Sequence, residues 1–209
     1  SGKTSLINLI PRFYDVRQGE VLVDGVDVKE YPFSQLRGMI GIVPQKAVLF
    51  RGTIRHNMQW RDKNATDEDI WNALDIAQAK DFVEKKPDKL DEMILQEGKN
   101  LSGGQRQRLT IARALVGDPE ILILDDSASA LDLATDARLR KAIHEKTSGM
   151  TVFIVSQRIS SIKSADKIIV LDDGKIAGIG THSELYKGCE VYKEICLSQL
   201  SEKEAQANG

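Results

Sequence analysis

The first residues of the chain carry groups that suit the binding of a phosphate chain. Ser1-Gly2-Lys3-Thr4 matches the last four positions of the phosphate-binding loop G-x-x-x-x-G-K-[ST]. Gly2 lets the backbone approach a phosphate closely, Lys3 reaches the β- and γ-phosphates, and the Thr4 hydroxyl is placed to ligate Mg²⁺. Because only the second half of the motif is present, we expect the chain to be a fragment that begins inside this loop, without the strand that feeds it.

Two neighbouring carboxylates follow a short apolar run. Ile121–Leu124 is typical of a strand buried in a parallel sheet, and Asp125 and Asp126 come directly after it. Open α/β sheets place their ligand groups at the carboxyl ends of strands. Gln45 lies just beyond the end of another predicted strand, Met39–Val43. These three polar side chains are therefore candidates for binding a ligand.

A third motif, Leu101-Ser102-Gly103-Gly104-Gln105, lies between these regions. Ser102 supplies a hydroxyl, and the two glycines after it allow backbone contact with a phosphate at the start of the following helix. The run Gln105-Arg106-Gln107-Arg108-Leu109 completes a highly specific pattern. Together the three motifs, in this order and spacing, resemble the nucleotide-binding domain of the ABC (ATP-binding cassette) transporters over almost the whole chain.

This resemblance implies a site for ATP and Mg²⁺, with the Ser5 hydroxyl near the α-phosphate. The ATP-binding residues that it implies are Ser1, Gly2, Lys3, Thr4 and Ser5. The metal-binding residues that it implies are Thr4, Gln45 and Asp125, the last of them through water.

The resemblance also implies a dimer, because two subunits of ABC proteins enclose two nucleotides between them. The motif Leu101–Gln105 corresponds to the ABC signature, which contacts the γ-phosphate of the ATP that is held by the opposite subunit. Ser129-Ala130-Leu131-Asp132 matches the D-loop, which crosses the same interface.

Two catalytic positions depart from the family pattern, while Gln45, which would face the attacking water, keeps it. Asp126 stands where glutamate, the general base, is usual, and its carboxylate is set back by about 1.5 Å, one C–C bond. A base must lie within about 2.6–3.2 Å of its proton. Gln157, in Val155-Ser156-Gln157-Arg158, stands where histidine is usual and carries neither a positive charge nor a transferable proton. We therefore expect a nucleotide site that binds ATP but barely hydrolyses it.

Further segments resemble exporters of the multidrug and lipid-flippase type. They are Phe50–Arg55, Arg158–Asp166 and Gly180–Leu185. Asp126 stands at the position of the base, and Gln157 at the position called the switch. An intact signature with both of these positions altered resembles one half of the bacterial heterodimeric exporters, in which one of the two ATP sites is degenerate. This implies a second, non-identical half-transporter as partner, a membrane domain in the same parent chain, and a location at the cytoplasmic face of the plasma membrane. Gln96-Glu97-Gly98 replaces an acidic-Arg-Gly sequence, which indicates either subunit-specific coupling or neutral loop variation.

Other readings of the motifs remain open. An importer ATPase would carry similar motifs and is distinguished by the sequence that precedes residue 1. A non-hydrolysing ATP-binding regulatory module is opposed by the intact signature, which serves the ATP of a partner. A DNA-repair or chromosome ATPase would carry long coiled coils, whereas the stretch from Gln45 to Leu101 is short and lacks heptads.

The composition fits one globular α/β domain. The chain has 209 residues, 41% of them apolar and 29% charged, and a net charge of -2, which gives no push toward nucleic acid. No apolar run approaches the roughly 18 residues of a membrane helix. Cys189 and Cys196 do not form a CxxC pair, and free thiols are expected.

The order of apolar runs predicts one α/β domain with a helical insertion, and the resemblance implies a P-loop NTPase of the ABC ATPase type, truncated at its N-terminus. Its mostly parallel core sheet would be joined by antiparallel β elements and an inserted helical subdomain at about residues 60–118. We expect residues 1–197 to form the nucleotide-binding domain and residues 198–209 a disordered tail. The predicted elements are helices at Thr4–Ile10, Thr66–Phe82, Gly104–Leu115 and Thr135–Lys146, and strands at Glu20–Val23, Met39–Val43, Ile121–Leu124, Val152–Val155, Ile168–Leu171 and Lys175–Ile179.

Overall fold

The computed structural model describes residues 2–127, 129–147 and 149–207, with side chains described up to residue 199. These residues form two compact units. The larger unit spans Leu9–Val155, and the smaller one joins the N-terminal residues up to Asn8 to the residues from Ser156 onward.

The strands are short and agree closely with the sequence pattern. The predicted strands at Ile121–Leu124, Val152–Val155 and Ile168–Leu171 are confirmed to within one residue at each end. The strands, numbered along the chain, are β1 (Leu22–Val23), β2 (Val26–Asp27), β3 (Ile40–Val43), β4 (Gly52–Thr53), β5 (Met93–Ile94), β6 (Ile121–Asp125), β7 (Thr151–Val155), β8 (Ile168–Asp172) and β9 (Lys175–Gly180).

Several helices begin at residues whose side chains satisfy free N–H groups of the first turn. Thr66, for example, accepts a hydrogen bond from the Asp69 N–H at 3.2 Å, and Asp69 accepts one from the Thr66 N–H at 2.8 Å, which is a complete capping box. The helices, numbered along the chain, are α1 (Lys3–Ile7), α2 (Phe33–Met39), α3 (Ile54–Met58), α4 (Asp67–Ile76), α5 (Lys80–Glu84), α6 (Gly103–Leu115), α7 (Leu133–Lys146), α8 (Ile159–Ile162), α9 (His182–Gly188) and α10 (Glu190–Ala207).

A parallel sheet in the order β3-β6-β7 forms the centre of the larger unit. The register places Ile40 opposite Ile121 and Leu124 opposite Ile154, so the three strands end at the same edge. Leu122 and Leu124 are buried in one apolar cluster with residues of α4 and α6. The burial of β6 explains why it reads as a continuous apolar run in the sequence.

Helix α6 packs against β3 at very short range. A Cβ atom at Gly41 would lie 2.4 Å from the carbonyl oxygen of Ala114, near the end of α6. Arg61 also links the end of α6 to β3. Its guanidinium donates to the carbonyls of Val116 at 2.7 Å, Ile40 at 2.8 Å and Gly38 at 2.8 Å. Burial lowers the pKa of Arg61. Helix α6 is thus fixed to the amino-terminal end of β3.

In the smaller unit, β8 and β9 form an antiparallel hairpin covered by α9 and α10. Its core contains Ile168, Val170, Leu185, Tyr192 and Cys196. Cys189 and Cys196 are buried, and both are free thiols, as expected from the sequence. Burial raises the pKa of Cys196. This core holds α10 against the hairpin over its first half.

Three segments differ from the sequence-based expectation. Helix α1 ends at Ile7 instead of Ile10. The stretch at 60–118 is not entirely helical, because β5 lies within it and pairs with β4. Strands of two residues are too short to show the alternation of apolar and polar residues that identifies a strand in the sequence. Helix α10 continues to Ala207 through the tail that was expected to be disordered, where Glu, Lys, Gln and Ala are strong helix formers. Residues 208 and 209 lie outside the described part.

Among the described residues, no helix is both long enough and apolar enough to cross a membrane.

Replacing Gly41 by alanine is expected to destabilise the larger unit. The new methyl group would lie 2.4 Å from the Ala114 carbonyl, so α6 must shift, which costs about 1–3 kcal/mol. Urea unfolding followed by circular dichroism measures the change. Gly38→Ala is the matched control, because no atom lies within 4 Å of its Cβ position and alanine favours helix α2. Equal stability of the two variants would contradict this account of the packing.

Candidate functional site

The carboxyl edge of the parallel sheet carries two aspartates in different settings. Asp125 is the last residue of β6, pairs in register with Val155 and is only 8% exposed. The Asp126 N–H donates to the Val155 carbonyl at 2.8 Å, and its φ of 46° then turns the chain out of the strand. The two carboxylates therefore lie on consecutive residues at the point where the strand ends.

Gln45 joins Asp126 at this edge. It follows β3 by two residues, and β3 is the parallel neighbour of β6. Its side-chain Nε2 donates to Asp126 Oδ2 at 3.3 Å, although the two residues are 81 positions apart. The amide oxygen of Gln45 is an acceptor or ligand of the type that Mg²⁺ prefers. The structure thus brings together two of the predicted site residues, Gln45 and Asp126. Asp125 precedes Asp126 in the sequence.

The oxygen chemistry of this edge fits a hard divalent cation. Asp125 and Asp126 supply carboxylate oxygens and Gln45 an amide oxygen, and Mg²⁺ is bound by one or two carboxylates with water completing its shell. The site residues of the larger unit therefore suit the Mg²⁺ that the sequence implied.

The phosphate-loop residues Gly2, Lys3 and Thr4 lie in the smaller unit. Gly2 is the N-cap of α1 with a φ of 74°. Thr4 and Ser5 are exposed, and Lys3 is half-buried. The two hydroxyls and the ammonium group at this helix start suit an anionic phosphate. Ser1, also predicted to bind ATP, lies outside the described residues.

The switch segment also lies in the smaller unit. Gln157 is exposed and sits in a turn between Val155 and helix α8. Ser156 Oγ accepts a hydrogen bond from the Arg158 N–H at 3.0 Å. The side chain of Gln199 on α10 bonds the backbone of this turn on both sides of Arg158. Sequence reasoning missed Gln199, because no motif includes it.

The signature motif begins helix α6 with a capping box. Ser102 Oγ accepts from the Gln105 N–H at 3.2 Å, and Gln105 Oε1 accepts from the Ser102 N–H at 3.0 Å. Leu101 is buried, whereas Ser102 and Gly103 are exposed. The buried leucine anchors the motif and the serine and first glycine face solvent.

The D-loop lies beside the start of the signature helix. A Cβ atom at Gly104 would be 3.5 Å from the carbonyl oxygen of Ala130. The loop is also tied to the end of β6, because the Ser129 N–H donates to the Asp126 carbonyl at 3.2 Å. Leu131 is buried and Asp132 caps α7 by accepting from the Thr135 N–H at 2.9 Å. The structure therefore joins the signature and the D-loop into one surface.

The segment before the signature is tied to α6 by an arginine of the run Gln105–Leu109, a role that the sequence pattern did not reveal. Arg106 donates to the Leu101 carbonyl at 2.7 Å and to the Gly98 carbonyl at 3.4 Å. Gly98 has a φ of 68°, and a Cβ there would lie 2.7 Å from Arg106 Cδ. Gln96–Gly98 forms a 3-10 turn in which Glu97 also has a positive φ of 59°. Any movement of this turn therefore involves the signature helix.

Comparison with known proteins places these features in one family. The family model for ABC transporters matches residues 1–129. An uncharacterized ABC transporter ATP-binding protein of Mycobacterium tuberculosis is 46% identical over 202 residues, which are 95% of this chain and 34% of that protein. An ATP-dependent lipid A-core flippase of Hahella chejuensis is 42% identical over 206 residues, which are 98% of this chain and 35% of that protein.

A solved structure of a bacterial Atm1-family ABC exporter with ATP bound superposes with a TM-score of 0.90 at 36% identity, over 95% of this chain and 35% of that one. The chain belongs to the ABC transporter family, and its fold is that of an ABC-type P-loop ATPase domain. It spans about a third of the length of these relatives.

The cap at Asp132 generates a pH-dependent prediction. Hydrogen bonds from Thr135 hold the pKa of Asp132 below its usual range. The ionised cap therefore stabilises the fold at pH values above the unfolded-state pKa, near 4, and this stabilisation is lost as the pH falls through the lower folded-state pKa. We expect Asp132→Ala to reduce the free energy of unfolding at pH 7 and to reduce it progressively less below about pH 4.

Urea unfolding at a series of pH values measures this difference. Asp88→Ala is the control, because Asp88 is exposed and its side chain caps no helix. A loss for Asp132→Ala that is the same at every pH would contradict the assignment of the cap.

Proposed function

We propose that this chain is the ATP-binding domain of an ABC exporter, in which ATP binding and hydrolysis at a dimer interface drive substrate across a membrane domain. The observation that carries the proposal is the hydrogen bond from Gln45 to Asp126 at the carboxyl edge of the sheet. The two residues come from motifs that are remote in sequence and that the family resemblance assigns to one ATP site. The similarity to a lipid A-core flippase and to an Atm1-family exporter supports export over import.

The residues that would hold the triphosphate are those at the start of α1. Gly2 permits close backbone approach, Lys3 neutralises the β- and γ-phosphates, and Ser5 reaches the α-phosphate, with Ser1 completing the loop. Mg²⁺ would be held by Thr4 and Gln45 and, through water, by Asp125. The ion would neutralise charge on the phosphate oxygens when it is bound.

Asp126 would be a poor general base in this site. It has one methylene fewer than glutamate, and one of its oxygens already accepts the Gln45 hydrogen bond at 3.3 Å. Proton abstraction needs an approach of about 2.6–3.2 Å. The shorter side chain and the oxygen engaged by Gln45 both work against it. Gln157 donates a neutral hydrogen bond to phosphate but transfers no proton. The site of this chain would bind ATP and turn it over slowly.

The signature motif would act on the ATP of the partner. The Ser102 hydroxyl uses a lone pair for the helix cap, and a hydroxyl in that role still has its proton to donate to phosphate. Gly103 is exposed beside it, where the helix start favours negative charge. The D-loop residues Ser129 and Ala130 are exposed on the same surface. This surface would complete the partner's site at the dimer interface.

The division between a slow site and an intact signature favours a heterodimer. Its partner would be a second, non-identical half-transporter with glutamate and histidine at the positions of Asp126 and Gln157. The membrane domain would belong to the parent chain of this domain, which would lie at the cytoplasmic face of the plasma membrane.

The parent protein purified without its partner is expected to hydrolyse ATP very slowly. Both sites of a homodimer would contain Asp126 and Gln157, and a positioned general base contributes roughly 10²–10⁴-fold to the rate. Steady-state phosphate release measures the activity. The double replacement Asp126→Glu, Gln157→His is the matched comparison and should raise the rate. Robust activity of the unmodified parent alone would refute the degenerate site.

In the assembled transporter, Ser102→Ala is expected to reduce ATP turnover more than Asp126→Ala does. The first change removes a donor from the partner's fast site, whereas the second changes a site that is already slow. Removing such a donor costs about 10²–10³-fold in turnover.

The loss of a helix cap must be separated from the loss of this donor. Thr66→Ala removes an equivalent capping box from α4, far from the signature in sequence, and each cap contributes about 1 kcal/mol to stability. Turnover of the Thr66→Ala transporter should stay near that of the unmodified one. If Asp126→Ala proves the more damaging change, the two sites have been assigned in reverse.

A further inference from the structure

The turn that carries Gln157 is held by a side chain from the C-terminal helix. Gln199 on α10 accepts a hydrogen bond from the Ile159 N–H at 2.9 Å through Oε1. Its Nε2 donates to the Gln157 carbonyl. One amide group thus satisfies the Ile159 N–H and the Gln157 carbonyl, which lie on the two sides of Arg158. A neighbouring β-strand would pair with this segment through the same two backbone groups.

This contact replaces the cap that helix α8 lacks. Arg158 is the N-cap residue of α8, and its side chain makes no capping hydrogen bond. Ile159 is the first helical residue, so its N–H needs a partner outside the helix. Ser156 Oγ accepts the Arg158 N–H at 3.0 Å. Two side chains, from Ser156 and Gln199, therefore hydrogen-bond the backbone along the whole turn.

The position of Gln199 is set by the core of the smaller unit. It lies three residues after Cys196 and seven after Tyr192, on the same face of α10, and both of those side chains are buried. Tyr192 is itself fixed by a contact of 2.9 Å between its hydroxyl and His182 Nδ1 on α9. Gln199 is half-buried and follows this anchored stretch. The amide is thus presented by a rigid element.

We propose that Gln199 is a positioning residue for Gln157, so that the C-terminal helix controls how the switch residue meets the γ-phosphate. The inference rests on the proposed function, because it takes Gln157 to be a ligand of ATP. A neutral amide interacts with phosphate only through directed hydrogen bonds, so its contribution depends on the orientation of the turn. Loss of the Gln199 contacts would leave Gln157 present but poorly aimed.

The contact itself is tested by hydrogen exchange on the intact protein, without nucleotide. We expect the Ile159 amide, observed in peptides covering residues 156–163, to exchange roughly tenfold faster in Gln199→Ala. Gln199→Glu keeps the volume and an acceptor oxygen but sets a second acceptor against the Gln157 carbonyl, so it separates the hydrogen bond from packing. Glu194→Ala, at an exposed position on the same helix, is the control and should leave the exchange unchanged. Unchanged exchange in Gln199→Ala would overturn the inference.

The positioning role is tested by the affinity of the parent protein, purified without its partner, for Mg-ATP. We expect Gln199→Ala and Gln199→Glu to weaken binding about three- to tenfold, the factor that corresponds to one hydrogen bond. In a Gln157→Ala background, Gln199→Ala should have no further effect, because the residue through which it acts is gone. A merely structural role would instead weaken binding equally in both backgrounds and would overturn the proposal.

The proposed function and the positioning role of Gln199 are refuted by different results. If the unmodified protein does not bind Mg-ATP, the proposed function is wrong and this inference falls with it. If the unmodified protein binds Mg-ATP and the Gln199 variants bind it equally well, the positioning role alone is refuted.

Discussion

Strand β6 has a parallel partner on each side, and the candidate site depends on that pairing. Because β3, β6 and β7 run in one direction, Gln45 and Asp125 emerge at the same edge of the sheet. The Asp126 N–H extends the β6–β7 pairing by one hydrogen bond before its positive φ turns the chain. The carboxylate of Asp126 then meets the amide of Gln45. A shift of one residue in the register would separate these groups and move every β6 side chain to the opposite face.

The signature is fixed to the same sheet through the other end of its helix. Gly41 lets the last turn of α6 touch β3, and Arg61 bonds carbonyls of both elements. At its beginning, α6 contacts the D-loop, and the Ser129 N–H of that loop donates to the Asp126 carbonyl. One helix and one loop therefore connect the edge that would bind this chain's ATP with the surface that would serve a partner's. This arrangement gives the two proposed sites a common rigid support.

The parts of the fold that depend on local chemistry were predictable from the sequence. Buried strands read as apolar runs at Ile121–Leu124, and Thr66 with its acidic neighbours indicated the start of α4. Contacts between remote segments left no such pattern. Gln199 acts through the backbone N–H of a residue 40 positions away, and any backbone has such groups, so no residue type at the other end reveals the pairing. The motif residues were identified because their types are specific, whereas the side chains that hold them in place were not.

The long separation within the central sheet has a kinetic meaning. The Gln45–Asp126 contact closes a loop of 81 positions, whereas the helices that lie between them form contacts nearer in sequence. Loop closure of this length costs entropy before any long-range contact compensates for it, and folds rich in such contacts form slowly. We therefore expect the helical segment to form early and the carboxyl edge of the sheet to be assembled late. A nascent chain would carry helix α6 before the carboxyl edge of its central sheet is complete.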